Sequence, residues 1–495
     1  MGQEQLQFIG GARRSGSGAR LSIIAPATGA VIASGAGANA ADVESAVTAA
    51  RAAFPGWAGL TPGARSDLMH EWARILRVRA GDLAAIESVN AGKPIRLAAE
   101  FDVPGTIDNT AFFAGAARHL EGKAAAEYSG DHTSSIRREP HGVIGSIAPW
   151  NYPLQMAAWK ILPAVAAGNT VVLKPSELTP LSSLLFAEAA ADAGVPPGVI
   201  NVLTGTGGEA GQALVEHPAV AMVSFTGSTG VGKRVAATAA GAVKRVHLEL
   251  GGKAPFVVFD DADPEAAARG AVAGALINTG QDCTAATRAY VQRPLFEEFV
   301  GRVADLMDRV VLGPVENPET DMGPLISRAH RDKVLGMVER ARESGAKIVR
   351  GGRIPEHTST AGSYFEPTLI TGAAQDSEIV QHEIFGPVLV VLPFDSDDEA
   401  IALANDTVYG LAASAWSRDV FRTQRASREI QAGCVWINDH IPIISEMPHG
   451  GYKSSGFGKD MSAYAFEEYT NIKHVMSDIT GTAHKPWHDI IFRAG

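Results

Sequence analysis

A cysteine at a junction between two kinds of segment is the first candidate for chemistry. Cys283 lies in the stretch TGQDCTAATR (279–288), between a helix-like run of small residues and the strand-like run 289–291. A thiol at such a junction can face a pocket and act as a nucleophile. The alternative is that it packs as a small buried hydrophobe, as most free cysteines do. The rest of the sequence has to decide between these interpretations.

Two other side chains of catalytic type follow apolar runs. Glu249 lies near the end of the run 245–250, where an apolar setting would raise the pKa of its carboxyl group and make it a useful base. The alternative is a structural ion pair with Lys253. Asn151, in PWNYP (149–153), carries an amide that can stabilise an oxyanion, and the alternative is an ordinary asparagine turn.

Two glycine-rich loops suggest a bound phosphate group. The loop 205–211 resembles a dinucleotide loop with one residue too many, and GSTGVGK (227–233) matches the spacing of a phosphate-binding P-loop. A P-loop needs Ser or Thr next to hold magnesium, whereas Arg234 follows here. The second loop joins a strand-like run to a helix-like run, so we interpret it as a diphosphate cradle at a helix N-terminus. A P-loop nucleotide-binding protein is the distant alternative.

The acidic side chain of KPSE (174–177) bears on the choice of nucleotide. Glu177 follows a strand-like run and could accept hydrogen bonds from both ribose hydroxyls of an adenosine, which favours NAD over NADP. Lys174 and Ser176 act in the opposite direction and leave room for some NADP use. The alternative is that these residues only form a turn and a helix cap.

These motifs all follow short apolar runs that alternate with helical patterns. Five runs, at 143–148, 170–175, 199–203, 221–225 and 245–250, indicate βαβ units and a parallel sheet covered on both faces. A second alternation, through 255–259, 346–349, 387–391 and 434–437, indicates a second α/β domain that contains Cys283. Residues 1–40 suggest edge hairpins, 41–92 and 107–120 are helical in pattern, and 122–142 resemble a protruding strand pair. Ligands on such sheets bind at the carboxyl ends of the strands, where the motifs lie.

The length and the amino-acid composition of the chain indicate a globular protein of two or three domains. The chain has 495 residues, 46% hydrophobic and 20% charged, and a net charge of −11 that argues against nucleic acid or an anionic membrane as partner. Two distant cysteines form no disulfide framework and exclude a cysteine-rich zinc site, so no metal is expected. We find no signal peptide in MGQEQ (1–5) and no run of about 18 apolar residues. A cytoplasmic protein is therefore expected.

Taken together, the motifs resemble those of the NAD(P)-dependent aldehyde dehydrogenase superfamily, in the family's order. They are APWNYP (148–153), AGNT through KPSE (167–177), FTGSTG (225–230), LELGGK (248–253), NTGQDC (278–283), EIFGP (383–387) and PHGGYK with SG (448–456). One departure is Gly230, where many members carry Glu in the phosphate loop. The resemblance implies an α/β fold with a Rossmann-type parallel-sheet cofactor domain, a second α/β catalytic domain and a small β oligomerisation arm.

The resemblance also implies boundaries and roles. The NAD-binding domain would comprise 1–121 and 143–252, the catalytic domain 253–455, and the arm and tail 122–142 and 456–495, which would build a homotetramer (a dimer of dimers) or a dimer. Cys283 would be the nucleophile, Glu249 the general base, and Asn151 with the Cys283 N–H the oxyanion hole. The residues implied for the cofactor are Ala148, Pro149, Trp150, Asn151, Lys174, Pro175, Ser176, Glu177, Gly208, Gly211, Phe225, Gly227, Ser228, Gly230, Val231, Leu250, Glu383 and Phe385.

Within the superfamily the sequence is most similar to bacterial γ-aminobutyraldehyde dehydrogenases, and next to betaine aldehyde dehydrogenases. The stretches GQDCTAA (280–286) and ISEMPHGG (444–451) carry this likeness. Asp282 and Asp108 could attract the ammonium of an aminoaldehyde, and aromatic faces could hold a cation. The aromatic candidates are Tyr152, Trp159 and Trp436. The alternative is that both acids are hydrogen-bonded structural residues.

Overall fold

The computed structural model describes residues 6–120, 125–356 and 358–492. The segment 1–5, in which we looked for a signal peptide, lies outside these residues, as do 121–124 at the start of the predicted arm. The described strands are β1 (Gln7–Ile9), β2 (Ala12–Arg14), β3 (Arg20–Ile24), β4 (Val31–Ala36), β5 (Ala126–Ser129), β6 (His132–Pro140), β7 (Val143–Ile147), β8 (Thr170–Lys174), β9 (Ile200–Leu203), β10 (Val220–Thr226), β11 (Arg245–Glu249), β12 (Ala254–Val258), β13 (Ala286–Gln292), β14 (Lys347–Arg350), β15 (Thr368–Thr371), β16 (Val388–Phe394), β17 (Ala412–Trp416), β18 (Cys434–Ile437), β19 (Gly456–Phe457) and β20 (Thr470–Asp478).

Helices separate most of these strands. The α-helices are α1 (Ala40–Ala58), α2 (Pro62–Val78), α3 (Ala80–Ala91), α4 (Ile95–Leu97), α5 (Val103–Ala116), α6 (Pro153–Ala166), α7 (Leu181–Asp192), α8 (Gln212–Glu216), α9 (Thr229–Ala240), α10 (Pro264–Leu276), α11 (Phe296–Met307), α12 (Arg328–Glu343), α13 (Glu378–Gln381), α14 (Asp397–Asn405), α15 (Val420–Glu429) and α16 (Ser462–Glu468). Short π-helical turns precede α5 and α8, at Ala98–Asp102 and Gly207–Gly211, and a 3₁₀ turn follows α10 at Ile277–Gly280.

The strands form two large sheets. The first has the order β19-β11-β10-β7-β8-β9-β1-β2, and its five central strands, from β11 to β9, are parallel. The second has the order β14-β15-β16-β13-β12-β17-β18, parallel except at β14. Both match the predicted α/β class. The boundaries predicted for the domains stay a prediction.

Both large sheets are buried on their two faces. In β8, Val171 and Leu173 pack into one apolar cluster and Val172 into another, because alternate side chains of a strand point to opposite faces. Strand β12 divides in the same way between two further clusters, with Val257 in one and Val258 in the other. This double burial explains the continuous apolar runs that made the strands readable from sequence.

A smaller sheet stands apart from the two. Strands β20, β6 and β5 are antiparallel, and β6 pairs with β20 from Thr470 opposite Pro140 to Asp478 opposite His132. This part of the structure confirms a strand pair within 122–142 and shows that the C-terminal segment returns to it. None of the described helices is long and apolar enough to cross a membrane.

Candidate active site

A cavity of about 310 Å³ is lined by the ends of β10 and β11 and by loop residues that precede β13 and β16 of the second sheet. It lies where β10 and β11 of the first sheet face the turn that follows α10. Of the residues that the sequence singled out, the cavity is lined by Pro149, Trp150, Asn151, Tyr152, Trp159, Gly227, Ser228, Glu249, Leu250, Asp282, Cys283, Glu383 and Phe385. The three side chains of catalytic type are therefore brought to one place from segments far apart in the chain.

The thiol is held by a strained turn. Asn278, Thr279 and Gly280 all have left-handed backbone angles, with φ of 50°, 59° and 67°. The Nδ2 group of Asn278 donates to the carbonyl oxygens of Asn151 and Gln281, at 2.8 and 3.1 Å. Such strain persists only where the surroundings over-determine the backbone, and here it aims Cys283 into the cavity.

The environment of Cys283 keeps its thiol protonated in the resting state. Burial raises the pKa of the Cys283 thiol well above its ordinary value, and the negative charges of Asp282, Glu383 and Glu249 add to the rise. The side chain is nevertheless half-buried and lines the cavity. The packing interpretation of this cysteine therefore does not describe its position, because the sulfur lies at the wall of a cavity.

Asn151 lies in the loop between β7 and α6 and lines the same cavity as Cys283. Its Nδ2 donates one hydrogen bond to the carbonyl oxygen of Gln281, at 3.0 Å, and the side chain is buried. An amide nitrogen carries two N–H donors, so one is left to face the cavity. This geometry fits an oxyanion donor better than an ordinary turn.

Glu249 carries a perturbed carboxyl group. Burial raises the pKa of its carboxyl group well above the ordinary value, and the charge of Asp460 adds to the rise, against the opposing effects of Lys160 and Lys459. The ion pair with Lys253 that we considered as an alternative is not formed, since Nζ of Lys253 donates to Ile379 O at 2.9 Å.

Asp282 has three hydrogen-bond donors. Its Oδ1 accepts from the backbone N–H and the hydroxyl of Thr284, both at 2.7 Å, and its Oδ2 accepts from the Tyr152 hydroxyl at 2.7 Å. The acid therefore helps to shape the loop around Cys283, as the structural alternative expects. It also lines the cavity and brings its charge there.

The structure does not bring all predicted substrate residues to the cavity. Within the described residues, neither Asp108 nor Trp436 lines it. Asp108 accepts a hydrogen bond from Ser445 Oγ at 2.5 Å, and Nε1 of Trp436 donates to Pro442 O at 2.8 Å. Both side chains are held by the segment 442–445 instead of facing the cavity. Their roles as substrate residues therefore stay a prediction, and their contacts in this structure do not place them in the lining of the cavity.

The residues implied for the cofactor fall into two groups. Trp150 packs edge-on against Phe385 at 5.2 Å, and Glu383 accepts from the backbone N–H of Gly252 at 2.9 Å, both at the cavity. The others lie outside its lining among the described residues, along the carboxyl ends of the first sheet. They are Ala148, Lys174, Pro175, Ser176, Glu177, Gly208, Gly211, Phe225, Gly230 and Val231.

The second group has the features of an anion cradle. Strand β10 leads into α9 through Gly227, and Ser228 at the helix start makes no capping hydrogen bond with its side chain. A methyl group at Gly230 would meet nothing within 4 Å, so this loop is open at the helix N-terminus. Nearby, Nζ of Lys174 lies 3.2 Å from a carboxylate oxygen of Glu177.

Sequence reasoning missed several residues of the site. His449, His330, Lys333 and Asp460 line the cavity, and Asp460 forms a buried ion pair with Lys160 at 2.8 Å. The ring of His449 packs 5.2 Å from that of Trp159, and burial lowers the pKa of His449 to about 4. His449 stands inside the PHGGYK motif, so its place in the motif was the available signal. No signal in the sequence predicted the Lys160–Asp460 ion pair, because 300 residues separate its members.

Comparison with known proteins identifies the family of the chain. Residues 13–475 match the model of the aldehyde dehydrogenase family. A betaine aldehyde dehydrogenase of Mesorhizobium japonicum is 43% identical over 471 residues, which cover 95% of this chain and 96% of the relative.

Solved structures give the same result. An NAD+ complex of an aldehyde dehydrogenase from Bacillus cereus has a TM-score of 0.94 and 40% identity, covering 96% of this chain and 97% of that one. A betaine aldehyde dehydrogenase mutant from Staphylococcus aureus, in complex with NAD+, has a TM-score of 0.94 and 37% identity, covering 97% and 99%. The resemblance seen in the motifs is confirmed: this chain belongs to the aldehyde dehydrogenase family.

Proposed function

We propose that the protein catalyses the NAD-dependent oxidation of an ω-aminoaldehyde to the corresponding acid, with 4-aminobutanal to 4-aminobutanoate as the leading case. The observation that carries the substrate class is the carboxylate of Asp282, which lies next to Cys283 at the wall of an aromatic-lined cavity. A unit negative charge there favours an aldehyde with a positive charge at its far end.

The residues present fit NAD as the cofactor. The open N-terminus of α9 suits a diphosphate, since its free N–H groups and dipole favour negative charge. Trp150 and Phe385 would flank the nicotinamide, Glu383 would hold its ribose, and Glu177 would accept from the adenosine ribose. Lys174 beside Glu177 leaves room for some use of NADP. When bound, NAD supplies the acceptor for the hydride that leaves the substrate carbon.

The side chains at the cavity supply the other steps. The Cys283 thiol gives its proton to water, and its sulfur attacks the aldehyde carbon, which gives a hemithioacetal. Nδ2 of Asn151 and the Cys283 N–H donate to the oxyanion. Loss of the hydride leaves a thioester on Cys283. Glu249 then removes a proton from water, the water oxygen attacks the thioester carbon, and the acid leaves as the C–S bond breaks.

Aromatic side chains support a cationic substrate. Tyr152, Trp159 and Phe101 line the cavity together with Asp282, and ring faces attract ammonium groups. Betaine aldehyde is the alternative substrate, favoured by the names of the relatives from Mesorhizobium japonicum and Staphylococcus aureus. Its trimethylammonium group has no N–H donor, so it relies on charge and ring faces alone.

A panel of paired aldehydes tests the substrate class. We would measure kcat/KM with both cofactors for 4-aminobutanal and its uncharged isostere pentanal, and for betaine aldehyde and its isostere 3,3-dimethylbutanal. We expect 4-aminobutanal to be best and to exceed pentanal about tenfold or more, which corresponds to about 1.4 kcal/mol. If pentanal equals 4-aminobutanal, the charge argument fails. If betaine aldehyde is best, the substrate is the quaternary one.

The two cysteines provide a matched test of the nucleophile. Cys434, on β18, is half-buried like Cys283 but does not line the cavity among the described residues. Cys283→Ala should abolish turnover of the aldehyde, whereas Cys434→Ala should keep it. Equal activity of the two variants would refute the assignment of Cys283.

We also propose a homotetramer that assembles through the sheet β20-β6-β5. Apolar side chains on and beside this sheet are exposed in the single chain, with exposed fractions of 78% at Tyr128, 63% at Ile472 and 52% at Met476. Apolar patches of this kind mark association surfaces. Light scattering of the eluted protein gives the mass, and Ile472→Lys should lower it. A monomer in the wild-type protein would contradict the proposal.

A further inference from the structure

Two buried side chains on β11 face each other, and the two atoms that face have no hydrogen-bond partner among the described residues. His247 and Glu249 are two residues apart on one strand, so their side chains lie on the same face. Nε2 of His247 lies 3.6 Å from Oε1 of Glu249. Among the described residues neither atom has a hydrogen-bond partner, although both are buried. Since an unpartnered buried polar atom costs free energy, a small movement that joins them is favoured.

The other nitrogen of the imidazole determines which atom donates. Nδ1 of His247 lies 3.2 Å from Ser224 Oγ, its hydrogen-bond partner, and 3.8 Å from Oδ1 of Asp460, which is engaged with Lys160. If the Ser224 hydroxyl donates to Nδ1, the proton of the neutral ring resides on Nε2, which becomes a donor toward Glu249. Burial, with the charges of Lys160 and Lys459, lowers the pKa of His247 well below its ordinary value, so the ring is neutral.

Two glycines, Gly450 and Gly458, pack closely against the side chains of Glu249 and His247. A methyl group built at Gly450 would clash with Oε1 of Glu249, and one built at Gly458 would clash with the ring of His247. Glu249 also lines the cavity, so its carboxyl group extends from the cavity wall to His247. One carboxylate oxygen can therefore be held while the other meets the substrate.

We propose that His247 is a positioning residue for Glu249, whose Nε2–H donates to Oε1 and turns the second carboxylate oxygen toward the cavity. This inference rests on the proposed role of Glu249 as the base, and not on which aldehyde is the substrate. In thioester hydrolysis the proton of water passes to the second oxygen of Glu249. Oε1 meanwhile goes on accepting the hydrogen bond from Nε2–H of His247. The imidazole neither gains nor loses a proton.

The proposal separates two steps of turnover. Hydride transfer comes before the base acts, so His247 should affect hydrolysis of the thioester and leave the first release of NADH unchanged. The charged groups that act on Glu249 are Lys160, Lys459, Asp460 and Glu468, and they are unchanged when His247 is replaced. Loss of a donor to the charged carboxylate raises its pKa, so the acid limb of the kcat profile moves to higher pH.

Three substitutions at one position test this. In His247→Gln the amide nitrogen can reach the place of Nε2, in His247→Asn it reaches only the place of Nδ1 beside Ser224, and His247→Phe keeps a ring without nitrogen. We expect kcat to fall about tenfold to a hundredfold in the Asn and Phe variants, the scale that misplacement of a catalytic group costs, and only a few-fold in the Gln variant. The rate of the first NADH burst should stay at the wild-type value in all three.

The outcomes are distinct. Unchanged kcat and pH profile in the Asn and Phe variants would overturn the inference, as would a burst rate that falls in step with kcat, since that shows damage to the whole site. A Gln variant as slow as the Phe variant would also overturn it. Glu249→Gln in the same assay isolates the underlying assignment: if it hydrolyses the thioester normally, Glu249 is not the base. The assay uses whichever aldehyde proves best, so the substrate proposal can fail separately.

Discussion

Asp282 and Glu249 line the same cavity as Cys283, and these two carboxylates differ in how their oxygens are partnered. Asp282 accepts from the backbone and hydroxyl of Thr284 and from the hydroxyl of Tyr152. Glu249 is more deeply buried, yet its Oε1 has no partner among the described hydrogen bonds. Burial raises the pKa of the Glu249 carboxyl group well above its ordinary value.

This difference indicates which acid can move a proton. Three hydrogen bonds hold the oxygens of Asp282, so this acid is fixed and supplies charge and loop geometry. A buried carboxylate with a raised pKa takes a proton readily near neutral pH, as Glu249 must when it activates water. The proximity of an acid to a nucleophile is therefore a poor guide to its role, and the state of its oxygens is a better one.

The largest expected effect follows from removing the proton acceptor. Glu249→Gln should lower kcat about 10²–10⁴-fold, the usual contribution of a general base, while the first burst of NADH persists. Stopped-flow absorbance measures both quantities. Asp282→Asn, assayed with pentanal, is the matched control and should turn over at a rate close to that of the wild type. If both variants hydrolyse the thioester equally slowly, the two acids do not differ in role.

The next largest loss of kcat is expected when a methyl group is introduced against the Glu249 carboxylate. Gly450 has a φ of 153° and leaves room for Oε1, so Gly450→Ala should displace the carboxylate and lower kcat about a hundredfold. Gly115→Ala, in α5, is the control, because a methyl group there would meet nothing within 4 Å. A Gly450→Ala enzyme with wild-type kcat would show that the carboxylate does not need this position.

A smaller effect concerns pH. The base must be deprotonated to act, so kcat should fall as pH falls through the raised pKa of Glu249. The charge of Asp460 contributes to that raised pKa, and Lys160 opposes it. Asp460→Asn removes the effect of the Asp460 charge and keeps that of Lys160, so the acid limb of the kcat profile should move to lower pH, and activity on that limb should rise relative to the plateau.

The pH profile of kcat between about pH 5 and 9 measures this shift. The remaining charges near Glu249 are Lys459 and Glu468, which the substitution leaves in place. Asp460→Asn also leaves Lys160 without its buried partner, so thermal unfolding should be recorded with the profile. A limb that moves to higher pH would contradict the electrostatic account of Glu249.

The sequence predicted those parts of the fold and site that depend on local pattern. Strands such as β8 and β12 are buried on both faces and therefore read as continuous apolar runs. Asn151 follows β7 and Glu249 ends β11, so the common edge of parallel strands predicted that they lie at one site, whereas Cys283, which precedes β13, was joined to them by the family resemblance. The α/β class and the family resemblance are confirmed, whereas the roles of these residues stay proposals.

The features that the sequence did not predict depend on contacts between segments that are distant in the chain. The helix expected over 107–120 runs instead from Val103 to Ala116, because a π-helical turn at Ala98–Asp102 leads directly into it. Asp108 points to Ser445, 337 residues away, and no local pattern announces that hydrogen bond. The position of His247 beside Glu249 could have been predicted from the sequence, because side chains two residues apart on a strand lie on the same face of the sheet.

The smallest expected effect is a change in substrate preference when the charge of Asp282 is removed. Asp282→Asn removes one negative charge but keeps an oxygen that can accept from Thr284, and its new amide can donate to the Tyr152 oxygen. In a wet cavity one charge at about 4 Å is worth about 1 kcal/mol. The ratio of kcat/KM for 4-aminobutanal over pentanal should therefore fall roughly fivefold, mainly through a higher KM for the amine. Because pentanal is uncharged, its kcat/KM serves as the internal control for damage to the loop. A ratio that stays constant would leave Asp282 as a loop residue only, and the charge that selects the substrate would have to be sought elsewhere in the cavity.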